Sequence, residues 1–235
     1  MSTSPSPAAP TAAPFDEAAF EAFVASRDEP EWVSQRRREA FAAYDRLRNE
    51  PLDEEEWKRV ELRAFRPDTF ALQPAAEQSP ALETLMRDRA QFAGSVVHLD
   101  GHAIDETFDD DLAAQGVRFG DLSRLVREEP ELLEPLLLTR AVSPTTDRFS
   151  AWHSAFWTGG TVLYVPSGVE ITAPLYSLIG LAADGAADFS HTLVVLEDGA
   201  QATLLEETSS ADTASRGIHA GAVELLLGRG AGLRY

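Results

Sequence analysis

Five histidines and one pair of adjacent acids carry most of the chemistry that this 235-residue sequence could perform. His98 and His102 flank a predicted turn, and two imidazoles so close together could share a metal ion. Neither has a neighbouring cysteine or a spacing that marks a known ligand set, so both read as ordinary turn or surface residues. His153–Ser154 is not a nucleophile signature, because no strand–turn–helix elbow surrounds it. His191 and His219 lie 28 residues apart. Glu206–Glu207 is a pair of carboxylates following a strand, and clustered acids can do acid–base work. Adjacent strand residues point to opposite faces, however, so the pair reads as strand-end solvation. Gly159–Gly160 lacks the Lys and Ser/Thr of a phosphate loop and precedes a strand, so it reads as a corner. Cysteine is absent, which excludes disulfides and thiolate ligands within this chain and fits a reducing compartment. These residues assign no catalytic, cofactor-binding or metal site, and they do not predict an enzyme.

The elements that must position these side chains announce themselves by a repeat. Thr161–Thr172 (TVLYVPSGVEIT), Thr192–Thr203 (TLVVLEDGAQAT) and Val223–Arg234 (VELLLGRGAGLR) align without a gap at a spacing of 31 residues. Gly168, Gly199 and Gly230 fall in register as structural corner glycines, where a positive φ would strain any residue with a Cβ. Val162, Leu163 and Val165 correspond to Leu193, Val194 and Leu196 and then to Leu225 and Leu227, with Glu224 the one polar exception. Stacked strands sharing one core, as in a parallel β-helix or related solenoid, explain such a period. Hairpins of a sandwich that share a turn type are the other arrangement that fits. His191 and His219, 28 and not 31 apart, do not stack in one column of the repeat.

Four segments are predicted. Residues 1–14, rich in Ser, Pro, Ala and Thr and without a basic or apolar signal region, read as a disordered tail. Residues 15–78 read as helical. Phe15, Phe20, Phe23 and Val24 recur at helical spacing, a second helix runs from about Pro30 to Arg48 with Arg36, Arg37 and Arg38 mainly outside its apolar face, and a shorter one from Asp53 to about Leu62 is anchored by Trp57. Residues 79–147 read as a mixed α/β segment. It contains a helix around Leu82, Leu85 and Met86, a strand Ser95–Leu99 entering the turn Asp100–Gly101, and two short helices, Asp121–Glu128 and Glu131–Leu138. Residues 148–235 read as the solenoid coils. The chain stops inside the second run of the third block without a polar cap, which predicts a fragment with an open strand edge. A homodimer is open to it through such an edge.

Asp and Glu number 39 against 20 Lys and Arg, a formal charge of −19. That charge repels nucleic-acid phosphates and anionic membrane surfaces, so neither is an expected partner. No apolar run is long enough to predict a membrane span.

Several stretches resemble a known family. Glu29–Ala40 (EPEWVSQRRREA), Trp57–Leu62 (WKRVEL) and Gly116–Leu122 (GVRFGDL), leading into Pro130–Leu132, are similar to the N-terminal region of the SufB/SufD family of iron–sulfur cluster assembly proteins. Ala155–Pro174 (AFWTGGTVLYVPSGVEITAP) carries the most specific match, and His191–Glu207 and Val223–Tyr235 resemble the coils that follow. The chain looks like SufD rather than SufB, because Glu206–Ser210 (EETSS) stands where SufB chains carry a cysteine-containing segment. Ser167 stands where many relatives have Lys, so no role of that Lys is carried over.

The resemblance implies an N-terminal helical region followed by a right-handed parallel β-helix, truncated here. It implies a non-enzymatic, cytoplasmic subunit acting with a SufB-like scaffold and a SufC-like ATPase. The full complex would handle an iron–sulfur cluster, while this segment would hold no cofactor. A β-helical carbohydrate-active enzyme of secreted type would instead need a groove lined by acids or aromatics, and a structural solenoid adaptor would need neither.

Overall fold

The computed structural model describes residues 14–60, 62, 65–74, 91–210 and 216–235. Nearly all of the expected tail, and the helix expected around Leu82, Leu85 and Met86, lie outside the described residues.

Two helices open the chain. α1 (Glu17–Ala25) begins at Asp16, whose carboxylate accepts the Ala19 N–H at 2.8 Å and so satisfies a donor that the first turn leaves unpaired. α2 (Glu31–Leu47) follows Pro30, which has a helix-compatible φ and no N–H to lose. The third helix, α3 (Glu54–Trp57), is a single turn rather than the span to Leu62 expected from the sequence. β1 (Gly94–Leu99) and β2 (His102–Phe108) form a hairpin. Its Asp100 and Gly101 stand at φ of 48° and 86°, the paired left-handed residues of a type I′ turn. Next come α4 (Asp110–Ala114), β3 (Arg118–Asp121), α5 (Leu122–Glu128) and α6 (Pro130–Leu133). α7 (Arg148–Phe156) starts at a capping box in which Asp147 and Ser150 cap each other's backbone. Strands β4 (Thr161–Val165), β5 (Leu175–Leu181), β6 (Ala186–Asp188), β7 (His191–Leu196), β8 (Gln201–Ser210), β9 (Gly217–His219), β10 (Ala222–Leu227) and β11 (Gly232–Arg234) complete the chain.

Among the described residues the strands form three sheets, ordered β11-β8-β5-β1-β2, β10-β7-β4-β3 and β6-β9. This corrects the expectation of a right-handed parallel β-helix. The two larger sheets are mixed, because β2 closes antiparallel on β1 and β3 antiparallel on β4, and the described residues form no closed or solenoid β-helix. The expectation erred at both ends of its reasoning. Residues 148–156, taken as the start of the repeat, are helical, and the hairpin turn and β3 add antiparallel partners that a repeat of strands alone does not encode. The 31-residue spacing appears instead as strand register: Val162 pairs with Leu193, Leu193 with Glu224, Ala186 with Gly217, and Gln201 with Gly232.

The main core lies between the helices and the four-stranded sheet. Phe156 of α7 is fully buried and meets Phe15 and Phe20 edge-on at 5.1 and 5.6 Å, while Tyr44 of α2 stacks on Trp152 at 6.0 Å. A second core, with Leu163, Val194 and Leu196 on one side and Val96, Leu175 and Leu204 on the other, joins the four- and five-stranded sheets. The helices thus fix α7, and α7 delivers His153 to the face of β7.

Candidate functional site: a buried histidine–glutamate network

Alternation along β7 and β10 places His191 and Glu224 on the side facing α7. His191 pairs in register with Ala222, so Glu224 is its diagonal neighbour two residues further along β10. The three side chains of His153, His191 and Glu224 are buried. His153 Nδ1 lies 2.7 Å from the Ala220 carbonyl, His153 Nε2 lies 2.9 Å from His191 Nδ1, and His191 Nε2 lies 3.1 Å from Glu224 Oε2. Glu224 also accepts backbone N–H groups from Leu138 at 2.6 Å, Val142 at 3.1 Å and Ala141 at 3.3 Å. One carboxylate therefore ties the segment 138–142 to the sheet, and one helix is tied to the same sheet through imidazoles.

Electrostatics follow from burial and partners. Burial, and then the adjacent His191, hold the His153 imidazole well below its usual pKa. Burial alone would raise the Glu224 carboxyl, but the hydrogen bonds from His191 and from the Leu138 and Val142 amides outweigh it and keep the pKa lowered. Above the network, a cavity of about 450 Å³ is lined by Trp57, Phe65, Phe149, Ile218, His153 and His219 among others.

The remaining sequence candidates separate. His219 donates through Nδ1 to Asp188, its register partner on β6, and Asp188 also accepts the Ser190 hydroxyl at 2.6 Å. Burial pulls the His219 pKa down, but the Asp188 carboxylate outweighs this and leaves it raised. His191 and His219 do occupy different sheets, yet His153 lies near both. His98 is not a turn or surface residue: it is buried on β1, with Nε2 3.2 Å from Asp121 Oδ1. His102 contacts the Gln73 carbonyl at 2.8 Å, so the two do not share a site. Glu206 and Glu207 lie inside β8 and not at its end. They bind apart, Glu206 to Thr192 and Tyr235 at 2.5 and 2.7 Å, and Glu207 to Tyr176 at 2.9 Å. Ser167 and Tyr164 both donate to Glu197, at 2.8 and 2.6 Å.

Gly159 and Gly160 serve close approach. Gly160 stands at φ 134°, and a Cβ there would run into the His191 backbone, which locks the entrance of β4 against β7. Gly168, Gly199 and Gly230 stand at φ of 72°, 74° and 68°.

Two features escaped the sequence. Arg37, expected outside the apolar face of α2, is completely buried. It donates to both Glu29 carboxylate oxygens at 2.8 Å and to the Ala155 carbonyl at 3.1 Å, and it lies over the Trp157 ring at 3.9 Å. Glu224 was visible only as a break in an apolar column, which was the signal that could have found the network. Among the described residues, no group of three or more His, Asp or Glu side chains is arranged to hold a metal ion, and no helix is long and apolar enough to cross a membrane. The network can hold protons, orient imidazoles and tether backbone.

Comparison with known proteins places this architecture. The SufBD protein N-terminal region matches residues 20–176, and the SufBD core domain, described under SUF system FeS cluster assembly, matches residues 179–235. The iron–sulfur cluster assembly protein SufB of Bacillus subtilis is 25% identical over 148 residues, covering 63% of this chain and 32% of that protein. Iron–sulfur cluster assembly SufBD family proteins of Staphylococcus saprophyticus and Staphylococcus haemolyticus are each 26% identical over 149 residues, with 63% and 32% covered. The chain thus spans about a third of the length of these relatives. With both family regions matched in order from residue 20 to residue 235, the chain belongs to the SufB/SufD family.

Proposed function

We propose that this chain serves iron–sulfur cluster assembly as a non-catalytic, SufD-like subunit, working in the cytoplasm with a SufB-like scaffold and a SufC-like ATPase. Family membership over nearly the whole of the sequence after its first residues is the observation that carries this reading. The SufD-like assignment rests on Glu206–Ser210, which offers no thiolate where the resemblance places a cysteine in SufB, and on the absence of cysteine throughout. The described polar groups fit a positioning role. His98, Glu29, Arg37 and Glu224 bind other buried groups and backbone, so the part acts as a rigid arm on which partners are oriented. Affinity capture of the tagged chain from its native host tests the proposal. Co-purification with an ATPase and a second SufB/SufD-family subunit is the expected result. Recovery of the tagged chain without either, at expression matched to the native level, would overturn it.

A further inference from the structure

Three hydrogen bonds run along the four ring nitrogens of His153 and His191: to the Ala220 carbonyl, between the rings, and to Glu224. Each needs one proton. Two neutral imidazoles supply only two, because each carries a single N–H. Glu224 does not supply the third, since both of its oxygens already accept backbone N–H groups. With two protons, one of the three contacts would set lone pair against lone pair between buried side chains, at 2.7 to 3.1 Å.

We propose that His153, His191 and Glu224 form a buried proton-binding site, in which one proton beyond those of the neutral rings completes the hydrogen-bond chain joining α7, β7, β10 and the segment 138–142. Its assignment follows from the partners. His153 donates through Nδ1 to Ala220 and accepts at Nε2, as burial of a neutral ring favours. His191 donates from both nitrogens, one to His153 and one to the Glu224 carboxylate. The site is then an ion pair of zero net charge in low dielectric, with every lone pair facing a donor. Removing the proton leaves a net negative charge on buried groups. The fold therefore binds a proton that the unfolded chain releases above the ordinary histidine range, and its stability falls as pH rises until the site itself empties. Other charged groups that face the network are Arg36 and Arg37 of α2, Glu134 before the tethered segment, Asp147 at the start of α7, and the Asp188–His219 pair with Glu206 behind it. The Asp188–His219 pair responds to pH in the same sense, so the test must separate the two.

The variant Glu224→Gln makes that separation. A side-chain amide can donate to His191 Nε2, which supplies the third proton without ionisation and leaves Asp188–His219 in place; its NH2 also faces the Leu138 N–H, at a cost that does not vary with pH. Across about pH 7 to 9, the unfolding constant of the wild type should rise relative to that of Glu224→Gln by about tenfold per pH unit, one proton's worth. Long-range proton–nitrogen correlation on the histidine-labelled wild-type chain at about pH 8 should show one of the two buried rings protonated on both nitrogens. Parallel stability curves for the two proteins, or two singly protonated rings in the wild type, would overturn the proposal. Should Glu224→Gln fail to fold, the wild-type spectrum decides alone.

Discussion

Replacing Glu29 with Ala strands the Arg37 guanidinium. In the folded chain that guanidinium has no exposed surface, two carboxylate contacts at 2.8 Å, one carbonyl at 3.1 Å and the Trp157 ring at 3.9 Å. Burial lowers the Arg37 pKa, with Glu29 pulling against it, and leaves it at about 10, so the side chain remains a cation at neutral pH. Removing one partner of a buried pair costs about 3–5 kcal/mol, because the remaining charge is neither solvated nor neutralised. With a urea slope of about 2 kcal/mol/M, that is a fall in unfolding midpoint of about 1.5–2.5 M. Arg27 also loses its 2.6 Å contact with Glu29, but it keeps the Ser123 hydroxyl and the Thr158 carbonyl at 2.8 Å and is partly exposed, so its share of the cost is the smaller one. The double variant Glu29→Gln/Arg37→Met removes both charges, and it should recover more than half of the loss, since apolar replacement of a whole buried pair is often near neutral. Equilibrium urea unfolding at pH 7, followed by tryptophan fluorescence and far-ultraviolet dichroism together, measures both. A midpoint shift under about 0.5 M for Glu29→Ala, or a double variant no better than the single, would refute the buried cation. The pH arm has a definite sign. Burial raises the Glu29 pKa, but Arg37 and Arg27 outweigh it and leave it lowered. The contribution is therefore present above the ordinary carboxylate range and is lost as pH falls through the lowered value.

Gly199→Val should cost about 1–3 kcal/mol through its φ alone, because a Cβ there has open space, meeting only the Gly168 backbone at 3.9 Å. Ala202→Val, on a buried strand position, is the packing control, and equal losses in denaturation midpoint would remove backbone strain as the cause. Phe156→Ala should destabilise by about 3–5 kcal/mol, read by the same unfolding assay, since the ring is fully buried among Phe15, Phe20 and Phe41. Anaerobic reconstitution of the chain with iron and sulfide should leave no stoichiometric, chelator-resistant iron by absorption and metal analysis. Bound iron would contradict the non-cluster role and direct attention to His98, His102, His191 and His219.

Local signals in the sequence translated into local structure. The spacing of Phe20 and Val24 falls inside α1, and the Pro30 start gives α2 close to its observed bounds. Asp100–Gly101 gives the turn after β1 because few residue pairs tolerate two successive positive φ values. Long-range choices were not written locally. Nothing in Arg118–Asp121 says that it pairs antiparallel with β4. Six of the nine residues of α7 are aromatic, Ser or His, types with weak helix propensity, and its stability comes from packing against α2 and the sheet. The repeat signalled which strands would lie in register, and it was over-extended when that register was taken to dictate the whole architecture.

The histidines show why a site can be invisible to spacing. In a stacked arrangement, residues 31 apart become neighbours, and that rule pairs His219 with Asp188. It leaves His191 opposite Ala222, a residue with no polar side chain to offer. The missing partners come from a diagonal position on the next strand, Glu224, and from a helix outside the repeat, His153. Neither relation has a period. What the repeat does contain is the anomaly: a carboxylate in register with Val162 and Leu193, both fully buried. An ion placed in an apolar column is sustained only if other elements bring donors to it. Here two do so, β7 through one imidazole and the segment 138–142 through three backbone N–H groups. A polar residue that breaks an apolar column is thus itself a statement about distant parts of the chain, because the column alone could not hold it.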